Sequence, residues 1–183
     1  MSGDVGGVVV LGPGEVREAA NEAFDLSGRV VCPRVSTGWR QDWAAAVSDL
    51  QRVIDVSSAA QDAAIVRLAS IEGELAEDGT AREAHRAPGH VALDAPAILC
   101  GALRVSAVHA ERRVRSAVRL AADGPGAARK SGLGGLHAAM RGGRVDSCRA
   151  AVIAHELEDA PPDVAAGVVA AVEPFFDRED APR

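Results

Sequence analysis

Arg112, Arg115 and Arg119 stand three and four residues apart, the spacing that places side chains on one face of a helix, with His109 and Ser116 beside them. Guanidinium groups in such a row suit a polyanion. Each phosphate they neutralise releases counterions, so affinity is gained without any base being read. The row lies in a stretch, residues 101–150, that holds 10 basic and 3 acidic side chains, whereas residues 1–100 hold 8 and 15 and residues 151–183 hold 2 and 8. Positive charge confined to one stretch of an otherwise acidic chain marks one face for a polyanion or an acidic partner. The candidate nucleic-acid-binding set is therefore Arg104, Arg112, Arg113, Arg115 and Arg119, with Arg141, Arg144 and Arg149 further along. The competing reading is a solvated face that answers acidic helices of the same protein or of a second subunit. Only Lys130 among the 20 basic residues is a lysine, a skew that a GC-rich genome produces, so it is no argument for bidentate chemistry at each arginine.

Other residue types that could do chemistry fall at spacings that do not support it. Arg141-Gly142-Gly143-Arg144 puts two guanidinium groups on a tight turn, where backbone N–H groups can face an anion or simply connect two helices. Arg129 and Lys130 add charge just upstream. His155-Glu156 opens a run in which Asp159 occupies the place of the second histidine of a zinc-binding HExxH. His85, His90, His109 and His137 form no pair at metal-ligand spacing with one another or with a cysteine. Cys32, Cys100 and Cys148 are odd in number and far apart, as reduced thiols would be. The glycines at Gly12, Gly14 and Gly132–Gly135 are not followed by the Lys-Ser/Thr of a phosphate loop. The expectation is no catalytic residue, no metal and no cofactor.

The elements that must position the arginines read as helices. Hydrophobic residues make up 48% of the 183 residues but aromatics only 3%, so the core is built from Ala, Val, Leu and Ile, which suits closely packed helices. Residues 1–37, rich in Gly and Pro, read as a flexible N-terminal arm with one helical piece over Glu15–Phe24; residues 38–176 form the helical domain and 177–183 a charged tail. A long amphipathic helix is expected from Trp39 to Glu77. Its seam runs Trp43, Val47, Leu50, Ile54, then Ala64, Leu68, Ile71 and Leu75, with Ser57 and Gln61 interrupting it. Such a broken seam fits packing partly on its own domain and partly on a partner. Residues 78–93 read as a polar connection. Asp94 is expected to cap a short helix through Leu103, and Ser106 to cap a second through Ala122 with a buried stripe of Ala110, Val114, Ala117, Val118 and Ala121. A second hairpin follows, Leu133–Met140 and then a helix capped by Asp146 and reaching Leu157, and a last helix covers Val164–Phe176. The start lacks the basic region of a signal peptide, and the apolar run Val164–Val172 is far short of the roughly 20 residues that span a bilayer, so a soluble, cytoplasmic protein without membrane contact is expected.

The runs LDAPAILCGALRVSAVHAERRVRSAVRLAA and GLGGLHAAMRGGRVDSCRAAVIAHELEDAPPDV resemble the DUF222 domain, also called the 13E12 repeat family, found ahead of an HNH nuclease domain in many actinobacterial proteins. With the long helix, the resemblance covers most of residues 39–176. It implies an all-α fold, a long amphipathic helix followed by helix–turn–helix-like hairpins, and an association with nucleic-acid-processing proteins. It supplies no catalytic residue. The chain has no His-Asn-His array and no paired cysteines, so the expectation is a member without the nuclease domain, with a truncated remnant as the alternative. The function expected is a non-enzymatic module that binds double-stranded DNA through the basic block. Its rival is a helical interaction module, forming a homodimer or joining a related full-length protein through the long helix. In a helix–turn–helix the start of the second helix meets the bases; here that means Ala107, Val108 and Glu111, poor base readers.

Overall fold

Alanine, valine and leucine at helical spacing account for most of what is buried. A computed structural model describes residues 12–29, 38–124, 126, 127 and 130–176. The fold is all-α: among the described residues there are seven helices and one two-stranded sheet. The chain divides into two units, Met1–Trp43 and Ala44–Arg183. In the first, the helical piece expected over Glu15–Phe24 is longer, α1 Pro13–Arg29. The charged tail 177–183, Arg129, Cys32, and residues 1–11 and 30–37 of the expected arm lie outside the described residues. Among the described residues no helix is long and apolar enough to cross a membrane.

The long helix α2 spans Arg40–Ala69 and stops eight residues earlier than the expected end at Glu77. Ser70 closes it, its Oγ donating to Arg67 O at 2.8 Å. Ile71–Leu75 (β1) then pairs antiparallel with Ala81–His85 (β2), so the first part of the supposed polar connection is a strand. The cause is turn chemistry. Asp78 Oδ1 accepts from Thr80 N at 3.0 Å, and Gly79 takes φ 78°, a conformation that costs glycine little. The hairpin is anchored by Arg86 N–H donating to Ser70 O at 2.8 Å, and Ala92 N–H donates to Ala69 O at the same distance.

The buried face of α2 also differs from the expected seam. Asp55, Ala59, Asp62, Ile65, Val66 and Ala69 are buried, whereas Ala64 and Leu75 are exposed. Two aspartates occupy core-facing positions, which a count of apolar residues passes over. Ile65 and Ala69 pack with Ala92, Ala95, Leu99, Ala110, Val114 and Ala117 in one cluster; Ala59 joins Leu120, Leu133, Leu136, Met140, Val145 and Val169 in another.

The two hairpins come out nearly as read. α3 is Ala95–Leu103 and α4 is Ala107–Ala121, with Ser106 Oγ accepting from His109 N at 3.3 Å as its cap. Asp94 precedes α3, but its side chain accepts no capping hydrogen bond. In α4 the buried positions are Ala110, Val114, Ala117 and Leu120; Val118 and Ala121 are only half-buried. α5 is Gly134–Arg141 and α6 is Ser147–Glu156, capped by Asp146 accepting from Arg149 N at 2.8 Å. α7, Pro162–Val172, ends before the expected Phe176, because Pro174 has no N–H to continue it and a 3₁₀ turn, Glu173–Phe175, follows.

Both hairpin turns use one device. After α5, Gly143 takes φ 65°, its N–H bonds Met140 O at 2.9 Å and Arg144 N–H bonds Ala139 O at 2.9 Å, which satisfies the last carbonyls of the helix. After α3 the corresponding residue is Arg104, at φ 54°, with Val105 N–H reaching Cys100 O at 3.3 Å. A side chain in that left-handed region costs about 1 kcal/mol. Arg104→Gly is therefore expected to raise stability by up to about 1 kcal/mol, less glycine's larger entropy in the unfolded chain, seen as a higher urea midpoint at constant slope.

Candidate nucleic-acid interface

The cap at Ser106 sets the phase of α4. With Ala110, Val114 and Ala117 buried, Arg112 and Arg115 face outward, and Arg119 lies at the edge of the buried stripe. A groove of about 510 Å³ brings these three arginines together with Ser116 and, from α6 and just beyond it, Ala151, Ala154, His155 and Glu158. Thus the face inferred from spacing exists, and it has a second wall. His155 sits 36 residues from Arg119, so helical spacing gave no hint of its place there; its Nδ1 lies 3.3 Å from Glu158 Oε2.

The partners of the arginines decide how available each one is. Arg112 is exposed and, among the described residues, forms no ion pair. Arg115 pairs with Glu111 at 2.8 Å, one turn away on the same helix, with its side chain 71% exposed. Such exposed pairs hold by only about 0.3–0.5 kcal/mol, so they yield readily to a phosphate. Arg119 Nη1 is 3.7 Å from Glu158 Oε1 and is less exposed. One acid, Glu158, faces three arginines and one histidine in this groove.

The rest of the expected set is placed elsewhere. Arg113 turns inward, where its guanidinium bonds Asp62 and, at 3.2 Å, Gln61 Oε1, so it ties α4 to α2. Arg144 pairs with Glu173 at 2.7 Å and ties the second hairpin turn to the end of α7. Arg149 bonds Asp146, the cap of its own helix, through Nε at 2.5 Å. Arg141 and Arg104 are exposed and, among the described residues, unpaired, but neither lines the groove. The Arg141-Gly142-Gly143-Arg144 turn is a connector. Its N–H groups close α5, and Arg52 of α2 lies over it, donating to Gly142 O at 3.4 Å.

Two carboxyls away from the groove take their shifts from contacts that hold helices in place. Burial raises the Asp62 carboxyl above its usual range, against the charge and hydrogen bond of Arg113 and the nearby His137. Burial also pushes Asp146 up, but hydrogen bonds from the Arg149 N–H and guanidinium, with its charge, outweigh that and hold it below the usual range. Among the described residues no three His, Cys, Asp or Glu side chains gather where a metal ion could be held. No family model, no curated protein and no solved structure matches the chain.

Proposed function

We propose that this chain is a non-enzymatic, cytoplasmic, nucleic-acid-associated helical module that holds the backbone of double-stranded DNA in the groove between α4 and α6. The observation that carries this reading is the convergence of Arg112, Arg115, Arg119 and His155 on one groove with Glu158 as its one acid. The likeness of the two hairpins to the DUF222 region of nuclease-associated proteins supports the same reading. Contact is to phosphate rather than to bases. The residues at the start of α4, Ala107, Val108 and Glu111, offer no bidentate donor to a base edge, and the arginines sit further along the helix. Affinity is then of the non-specific kind, Kd about 10⁻⁴–10⁻⁶ M at physiological salt, and falls steeply as salt rises. The test is a fluorescence-anisotropy titration of labelled duplexes of several sequences across a range of salt. Salt-dependent binding with little preference among sequences is the expected result; no binding at low salt would sink the reading.

A second reading, self-association through α2, is favoured by its bare apolar side. Val47, Leu50, Val53 and Ile54 recur at helical steps and are 43% to 66% exposed, ahead of the point at which α2 enters the core. These four side chains cover less than one side of a standard interface, about 800 Å². Pairing of two copies, or with a related full-length chain, is therefore weak and concentration-dependent. Sedimentation of the wild type at tens to hundreds of micromolar is expected to show a monomer–dimer equilibrium that Leu50→Asp/Ile54→Asp abolishes; identical behaviour of the two proteins would remove this reading.

A further inference from the structure

A second groove, about 590 Å³, runs along α4 next to the first, with Arg115 and Arg119 between them. Its floor is aliphatic: Val114 and Val118, one turn apart, with Ala122 a turn further on. Its far wall is the segment before α3, where Val91 and Leu93 stand out on either side of buried Ala92. That wall is fixed, because Ala92 N–H is bonded to Ala69 O at 2.8 Å. Leu93 is 99% exposed, a bare leucine held in place at the lip of an apolar trough. The rim is cationic. Arg115, Arg119 and exposed Lys130 line it against Glu111, which is already paired with Arg115.

Nucleic acid does not match this combination. Phosphates gain nothing from an aliphatic floor, and no aromatic side chain lines the groove to stack a base. The matching chemistry is an apolar body flanked by carboxylates. Along α4 the groove extends from Glu111 to Ala122, about 16 Å or three helical turns, the length over which an amphipathic helix lays its i, i+4 and i+7 side chains into a trough. We propose that this groove is the docking site for an acidic amphipathic helix of a partner protein, with aliphatic side chains between Leu93 and Val118 and carboxylates on Arg115, Arg119 and Lys130. The docking stands on the groove alone. One consequence rests on the proposed function: Arg115 and Arg119 line both grooves, so a docked helix takes them from DNA.

The test uses a labelled 14-residue helical peptide with leucines at i, i+4 and i+7, glutamates on both flanks and alanine elsewhere. A control peptide of the same composition has the leucines distributed round the helix. The full chain is expected to bind the first peptide at least about ten-fold more tightly than the control. Val91→Ser/Leu93→Ser, at two exposed positions and without change of charge, is expected to lose that preference while duplex binding is kept. Lys130→Gln is expected to weaken the peptide about three-fold and serves as a second variant that leaves the apolar wall intact. Equal binding of the two peptides, or no loss in the serine variant, would overturn the proposal, as would binding of dodecanoate but not of the peptide. Peptide binding by a chain that binds no duplex would uphold the docking site and remove the nucleic-acid reading instead.

Discussion

Replacing Arg112, Arg115 and Arg119 together with glutamine is expected to lower duplex affinity about 100-fold at 0.15 M salt and to make the log–log salt slope shallower by about 2.7, since each phosphate contact contributes about 0.9. The size of the effect follows from how little holds these side chains to the protein. Arg112 has no ion pair among the described residues, and Arg115 has only an exposed partner on its own helix. Arg119 carries the least of the three, because Glu158 already faces it at 3.7 Å. That acid supplies a change of opposite sign: Glu158→Gln is expected to tighten binding a few-fold and to leave the fold unchanged. Arg113→Gln separates charge from position, because its guanidinium serves Asp62 and not the groove. It should cost stability and leave the salt slope where it was. If the arginines instead serve contacts within the chain, the triple variant loses stability and its slope does not move. Anisotropy across salt, with urea unfolding of each variant, separates the two.

The arginine row was legible because helical spacing is a local property: Ser106 starts the helix, small apolar residues mark its inner side, and the cations take what is left. The second wall of the groove was not, because His155 and Glu158 reach it through the packing of α6, and no local rule links residues 36 positions apart. The count of ten basic residues overstated the face for a related reason. Charge totals do not distinguish an arginine that faces solvent from one that neutralises a buried acid, and Arg113, Arg144 and Arg149 are all engaged with carboxylates of the chain. α2 shows the same limit from the other side. Its apolar residues trace a seam that is bare in its first half, while the face that enters the core carries Asp55 and Asp62. Hydrophobic periodicity finds cores made of hydrocarbon and is blind to core positions held by ion pairs and caps. The hairpin was a different failure. Asp78-Gly79 is visible in the sequence, but with a helical seam continuing through Ile71 and Leu75 it reads as the stop of a helix rather than as the turn of a hairpin.

Asp62→Ala is expected to be the most destabilising single substitution among those considered, at about 3 kcal/mol. Asp62 is 2% exposed, and its carboxylate answers Arg113 while His137 Nε2–H, from α5, donates to Ala59 O one turn earlier on α2 at 3.1 Å. Removing one member of a buried pair leaves the other charge without a partner, which costs about 3–5 kcal/mol. The low end applies because the Arg113 side chain is 23% exposed and can reach water. In a chain of 183 residues that loss lowers Tm by roughly 10 °C. Asp62→Leu/Arg113→Leu removes both charges and is expected to recover most of the loss, because the desolvation cost disappears together with the attraction. Acid supplies an independent signature. The folded carboxyl titrates above the unfolded value of 3.8, so the native state takes up a proton first as pH falls. The contribution of Asp62 therefore improves between its folded pKa and 3.8, and the stability gap between wild type and Asp62→Asn shifts in favour of the wild type across that window. Asp146 has the reverse sign. Its folded pKa is depressed, so the stability of the α6 cap is present above 3.8 and is lost as pH falls through the folded value. Unfolding midpoints of wild type, Asp62→Asn and Asp146→Asn from pH 7 to 3 should diverge in opposite directions, and parallel curves would show that neither carboxylate titrates differently in the folded chain.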